Sequence, residues 1–162
     1  MRAGERIPDV ELLRLGAGGV EKVSTVELFG GRRAILVGVP GAFTPTCSKE
    51  HLPGYVERAA ELRAAGIERI VCMAVNDPHV MAAWGRDLGV GATIEMVSDA
   101  RGELTRTLGL EKEYPASGLG VRCRRFAALL EDGVFRHVAV QAERGVTVCS
   151  AASLLDVLLA GG

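Results

Sequence analysis

Hydrophobic residues fall along this chain in two patterns, short continuous runs and stretches with helical spacing, and the two alternate. Val10–Leu15 and Val20–Val23 flank the turn Gly16-Ala17-Gly18-Gly19 and predict an N-terminal hairpin. A short helical turn is expected at Val26–Phe29. Arg33–Val39 carries the unbroken apolar run Ala34-Ile35-Leu36-Val37 and predicts a strand buried on both faces. A helical region follows over residues 45–65, with a break or kink expected at Pro53-Gly54. Its second half places Val56, Ala59, Ala60 and Leu62 on one side, and Gly66 fits a C-cap. Glu68–Val75 predicts the next strand, and Asn76-Asp77-Pro78 is a capping signal that opens a helix through Leu88. Ile94–Val97 reads as a strand, Ser98-Asp99 lead into a helix near Leu108, and 111–120, with Pro115 inside it, reads as a long loop. Phe126–Leu130 and Val134–Val140 predict a hairpin turning at Asp132-Gly133, and Ser150 caps a last helix over Ala151–Ala160.

The order β-β-β-α-β-α-β-α-β-β-α implies an α/β protein with a mixed central sheet flanked by helices on both faces. It contains the elements of a thioredoxin-like fold with an N-terminal β-hairpin extension. With 162 residues, no internal repeat and no low-complexity tract, a single domain over residues 1–162 is expected. A net charge of −1 with no basic block argues against nucleic acid or an anionic membrane surface as partner. No apolar stretch is long enough to span a bilayer, and residues 1–8 lack the apolar core of a signal peptide, so a cytoplasmic location is expected.

Cysteine usage narrows the chemistry. Cys47, Cys72, Cys123 and Cys149 are too sparse for a disulfide scaffold, and no C-x-x-C occurs. No two have zinc-ribbon spacing, and His51, His79 and His137 add no paired ligand motif, so neither a metal nor a bound cofactor is expected. Cys47 is different from the rest. Thr44 suits an N-cap and Pro45 the first helical position, which puts Cys47 in a turn whose backbone N–H groups lack carbonyl partners. Cysteines so placed favour the thiolate, with pKa values lowered to about 3.5–7.5. Pro40 and Phe43 supply low-polarity walls.

The run Pro40-Gly41-Ala42-Phe43-Thr44-Pro45-Thr46-Cys47-Ser48 closely resembles the peroxiredoxin active-site motif P-x-x-x-T-x-x-C, in the form of the type II (type 5) subfamily. The resemblance continues in Glu50-His51-Leu52-Pro53-Gly54-Tyr55, Val75-Asn76-Asp77, Trp84-Gly85-Arg86, Gly118-Leu119-Gly120-Val121-Arg122 and Arg125-Phe126, and so covers nearly the whole chain. It implies a thiol-dependent peroxidase for hydrogen peroxide and organic hydroperoxides. Carried onto these residues, it makes Cys47 the peroxidatic cysteine, Thr44 the hydroxyl that holds thiolate and peroxide, and Pro40 the shield of the sulfur. The catalytic arginine is the one before an aromatic residue in a strand, here Arg125 before Phe126, with Arg124 the second reading and Arg86 a further support. A thiolate attacking one peroxide oxygen leaves negative charge on the other, and fixed donors aimed there lower the barrier. The product is a sulfenic acid.

Cys149, in a loop just before Ser150, is expected to be accessible and mobile. It matches the resolving cysteine of atypical two-cysteine members. Cys123 is the second candidate resolver, or a site of glutathione attachment, because residues two apart on a strand face one side and Arg125 follows by two. Cys72, inside Ile70–Val75, reads as a buried core thiol. If no internal thiol resolves, an external one must. The resemblance also implies electrons from thioredoxin, glutaredoxin or glutathione, and a homodimer packed near the active-site loop, with Phe43 a candidate interface residue. The competing function is a redox sensor or holdase in which Cys47 oxidation switches a binding surface. Sustained turnover separates the two.

Overall fold

The computed structural model describes residues 1–161. β1 (Glu11–Gly16) and β2 (Gly19–Ser24) form the N-terminal hairpin, followed by α1 (Thr25–Phe29) and β3 (Arg33–Gly38). After the loop at 39–44 come α2 (Leu52–Glu57), α3 (Ala59–Ala64), β4 (Arg69–Ala74), α4 (Pro78–Asp87) and β5 (Glu95–Ser98). α5 (Glu103–Thr107), β6 (Glu111–Tyr114) and β7 (Gly120–Cys123) lead to β8 (Phe126–Glu131), β9 (Val134–Val140) and α6 (Ala151–Leu159).

Seven strands make one mixed sheet in the order β2-β1-β5-β4-β3-β8-β9, with β3, β4 and β5 mutually parallel and the other pairings antiparallel. The central strands are apolar on both faces because each face is covered. On one side Ile35, Val37, Cys72, Ala127 and Leu129 pack under α2, α3, α4 and α6. On the other, Leu36, Val71, Met73, Ala128 and Leu130 pack against α1, α5 and the N-terminal segment. Alternation along each strand assigns its residues to the two layers.

Local signals account for the boundaries. Ser24 and Glu27 form a reciprocal capping box on α1. Asp77 accepts from the N–H groups of His79 and Val80, and Ser150 from that of Ser153. Asp132 and Gly133 both take positive φ, 48° and 71°, as a tight turn between twisted strands requires. Gly38 faces a tighter constraint: a Cβ there would lie 2.0 Å from Cε1 of Phe126.

Three expectations differ from the structure. The stretch 111–120 is a hairpin, β6 against β7, rather than a loop. Glu111-Lys112-Glu113-Tyr114 is solvated along its length and carries no apolar alternation to mark it as a strand. The helical region does not break at Pro53-Gly54 but at Arg58, and it widens into a π-turn over Cys47–His51, where the Leu52 N–H reaches the Cys47 carbonyl. That widened turn lies directly ahead of Pro53, whose ring would meet the Lys49 carbonyl in a regular α-helix. Ala60, expected on the buried side, is exposed, while Ala59 and Leu62 are buried. Among the described residues no helix is long and apolar enough to cross a membrane.

Candidate active site

Strand register brings the site together. In the antiparallel pair β3–β8, Gly38 is opposite Phe126, so Arg125 emerges beside the loop that follows β3. That loop is held from several sides. Its Val39 N–H donates to the Met73 carbonyl and its Ala42 N–H to the Asn76 side chain at 2.9 Å. Arg122 fastens the neighbouring segments by donating to the carbonyls of Val75 and Leu119. Trp84 Nε1 donates to Ser48 Oγ at 2.9 Å and ties the turn after Cys47 to α4.

Cys47 lies in the π-turn, fully buried, and Arg125 Nη2 donates to its Sγ at 3.2 Å. Pro40 is buried beside the loop. A cleft of about 500 Å³ is lined by Pro40, Thr44, Tyr114, Arg124, Arg125 and Gln141 among others, and Arg125 links it to the buried sulfur. The β6–β7 hairpin therefore supplies one of its walls, through Lys112 and Tyr114. The expected Thr44 cap is formed by backbone only. Its carbonyl accepts from the Ser48 N–H at 3.0 Å, while its hydroxyl donates to the Gly41 carbonyl at 2.7 Å instead of capping a helix N–H. Arg124 lines the same cleft, and it is Arg125 that donates to the sulfur. Arg86 is exposed and lines a different cleft with Arg14 and Met96, so it gives the site no direct support.

The other nitrogen of the Arg125 fork reaches a residue that motif reading left without a role. Arg125 Nη1 lies 2.9 Å from His51 Nδ1, and His51 Nε2 lies 3.0 Å from the Cys149 carbonyl oxygen. Tyr55 donates its hydroxyl to that same carbonyl at 2.7 Å. Burial and the adjacent Arg125 charge push the His51 pKa down to about 3, against the pull of the Cys149 carbonyl. The ring is therefore neutral. The available signal was spacing, since His51 follows Cys47 by four and so shares its helix face.

The remaining cysteines divide between the layers. Cys149 is buried rather than accessible, because the segment 147–150 folds back under Gln141 and over α2. Burial pushes its thiol up to about 11, with Arg125 opposing and Cys47 reinforcing the shift. It belongs to the same apolar layer as Cys47. Cys123 belongs to the opposite layer, and burial pushes it up to about 12. β7 ends at Cys123 and β8 begins at Phe126, so no continuous strand carries Cys123 and Arg125 on one face. Cys72 is a fully buried core thiol pushed well up by desolvation. All four cysteines are unpaired.

Comparison with known proteins gives this geometry its family. The Redoxin family matches residues 2–155. The chain belongs to the redoxin family, as a peroxiredoxin of the type II (type 5) kind. Peroxiredoxin-2E-2, chloroplastic, of Oryza sativa subsp. japonica is 44% identical over 160 residues, 96% of this chain and 71% of that protein. Peroxiredoxin-2B of Arabidopsis thaliana is 45% identical over 139 residues, 86% of each chain. Among solved structures, reduced Prx3 in complex with H2O2 from Vibrio vulnificus superposes with a TM-score of 0.93 at 37% identity, covering 98% of this chain and 99% of that one. Peroxiredoxin 5 from Alvinella pompejana gives 0.87 at 32%, covering 99% of each. The thioredoxin-like fold expected from the element order is therefore the fold of this peroxiredoxin. It is a thiol-dependent peroxidase, and the sensor or holdase reading is not favoured.

Proposed function

We propose that Cys47 is the thiol that attacks peroxide, with Arg125, Thr44 and Pro40 as its working surroundings and Cys149 as the resolving thiol. The observation that carries this is the 3.2 Å contact to Cys47 Sγ from Nη2 of Arg125, a residue that lines one cleft with Pro40 and Thr44. A cationic donor on sulfur favours the anionic, nucleophilic form. The sulfur forms a bond to one peroxide oxygen, the O–O bond breaks, and the second oxygen leaves as hydroxide or alkoxide and takes a proton to become water or an alcohol. Arg125 and the Thr44 hydroxyl line the space where that charge develops. Thr44 reaches it by releasing the Gly41 carbonyl.

Cys47 is left as a sulfenic acid, which the Cys149 thiol attacks with loss of water to give a disulfide. Because Cys149 starts buried and protonated, its segment must leave Tyr55, His51 and Gln141 first. Cys123, held in the opposite layer, is the weaker candidate for this step. A thiol reductant of thioredoxin, glutaredoxin or glutathione type returns two electrons. A homodimer across the loop of Phe43 belongs to the same reading: that side chain is 52% exposed and its backbone takes φ +62°. Cys47→Ser is expected to abolish peroxide consumption with a thiol reductant, and retained turnover overturns the assignment.

A further inference from the structure

We propose that His51 positions Arg125 on the Cys47 sulfur, acting as a neutral hydrogen-bond acceptor that orients the guanidinium without cancelling its charge. The proposal rests on Cys47 being the peroxide-reactive thiol. Arg125 offers a planar fork, and its two outer nitrogens have different partners, Nη2 on Cys47 Sγ at 3.2 Å and Nη1 against His51 Nδ1 at 2.9 Å. Two fixed points orient a planar group that one point would leave free to swing.

Which way His51 bonds follows from its other neighbour. Arg125 only donates, so the contact requires Nδ1 to be the unprotonated nitrogen. The proton then sits on Nε2, which faces the Cys149 carbonyl, a group that only accepts, at 3.0 Å. Both contacts demand the same tautomer, and an imidazolium would meet Arg125 with a proton where an acceptor is required. Burial and the Arg125 charge both disfavour that imidazolium.

The residue type matters. A carboxylate in this place would orient Arg125 as well, but its charge would offset the field that the guanidinium exerts on the sulfur. An imidazole held neutral supplies direction alone. His51 is 1% exposed, so water does not compete for Arg125 at this contact.

Two substitutions separate the ring's two nitrogens. In His51→Asn the amide oxygen takes the place of Nδ1 and can still accept from Arg125, while the donor to Cys149 is lost. In His51→Gln the amide reaches the place of Nε2, and the acceptor for Arg125 is lost. The rate constant for Cys47 oxidation by hydrogen peroxide, read by stopped flow on the reduced full-length protein, is expected to fall about tenfold to a hundredfold in His51→Gln, short of the ~10²–10³ loss typical of removing such a donor outright. It stays within about threefold of the native rate in His51→Asn. In an Arg125→Ala background His51→Gln is expected to cost less than about twofold, since nothing remains to be positioned. Equal losses in the two variants, or losses that multiply with Arg125→Ala, overturn the proposal. If Cys47 is not the reactive thiol, Arg125→Ala itself leaves the peroxide rate unchanged and both readings fall; if only the His51 role is wrong, Arg125→Ala is slow while His51→Gln is not. Imidazole ¹⁵N NMR of the native protein tests the tautomer without any substitution: a proton on Nε2 alone supports the proposal, and one on Nδ1 overturns it.

Discussion

Removing the Tyr55 hydroxyl is expected to loosen the Cys149 segment without unfolding the protein. Tyr55 and His51 share one acceptor, the Cys149 carbonyl, at 2.7 and 3.0 Å. Tyr55→Phe therefore deletes one bond but leaves the carbonyl satisfied by the other, so no orphaned polar group is created. The loss is one neutral hydrogen bond, about 0.5–1.5 kcal/mol net. Because that bond is absent once the segment has opened, the whole of it appears in the opening equilibrium, a rise of roughly 2- to 12-fold. Under conditions where reclosing outpaces labelling, alkylation of Cys149 by a small thiol reagent follows this equilibrium. Mass spectrometry of reduced Cys47→Ser protein, with and without Tyr55→Phe, gives the rate at each remaining cysteine. Cys149 is expected to label faster in the double variant while Cys72 and Cys123, buried in the two core layers, do not change. An unchanged Cys149 rate refutes the latch. A parallel rise at Cys72 also refutes it, since that would mean the whole molecule opens.

Gly38→Ala would place a Cβ 2.0 Å from the Phe126 ring, and the overpacking is expected to lower stability by about 1–3 kcal/mol or more, read as a lower urea midpoint. An unchanged midpoint would contradict the close approach. His51 ties stability to acid. Its folded pKa of about 3 lies below its ordinary value of 6.5, so the unfolded chain takes up the proton first as pH falls. The contribution is fully present above pH 6.5 and is lost progressively toward pH 3. Urea unfolding of His51→Asn should accordingly show a shallower loss of stability between pH 6.5 and 4 than the native protein, and identical slopes would count against a buried neutral ring.

How far the sequence could be read depended on whether a feature was local. Asp77, Ser150 and Asp132-Gly133 announce caps and a turn with their own side chains or backbone freedom, and the structure places them as expected. The central strands β3, β4 and β8 were legible because apolar runs covered on both sides leave no other reading. β6 and β7 were not, since β6 is polar and largely solvated, β7 is four residues with no apolar run, and the two pair only with each other. Cys47, Thr44 and Pro40 lie within one short run, whereas Arg125 joins them only through the Gly38–Phe126 register. The link from Arg125 through His51 to the Cys149 carbonyl spans three distant segments and depends on a ring tautomer, so no spacing rule contains it. Cys149 misled for the related reason that a loop position says nothing of what folds over it. Its burial comes from Tyr55 and His51, far away in the chain, and from Gln141, which directly follows β9.

The most direct test of the account is to treat the reduced protein with one equivalent of hydrogen peroxide and map its cysteines by mass spectrometry over time. The account predicts oxidation first at Cys47, then an intramolecular Cys47–Cys149 disulfide, with Cys72 and Cys123 remaining thiols. First oxidation at any other cysteine would contradict the assignment of Cys47, and a Cys47 sulfenic acid that persists beside a free Cys149 would contradict the resolving role.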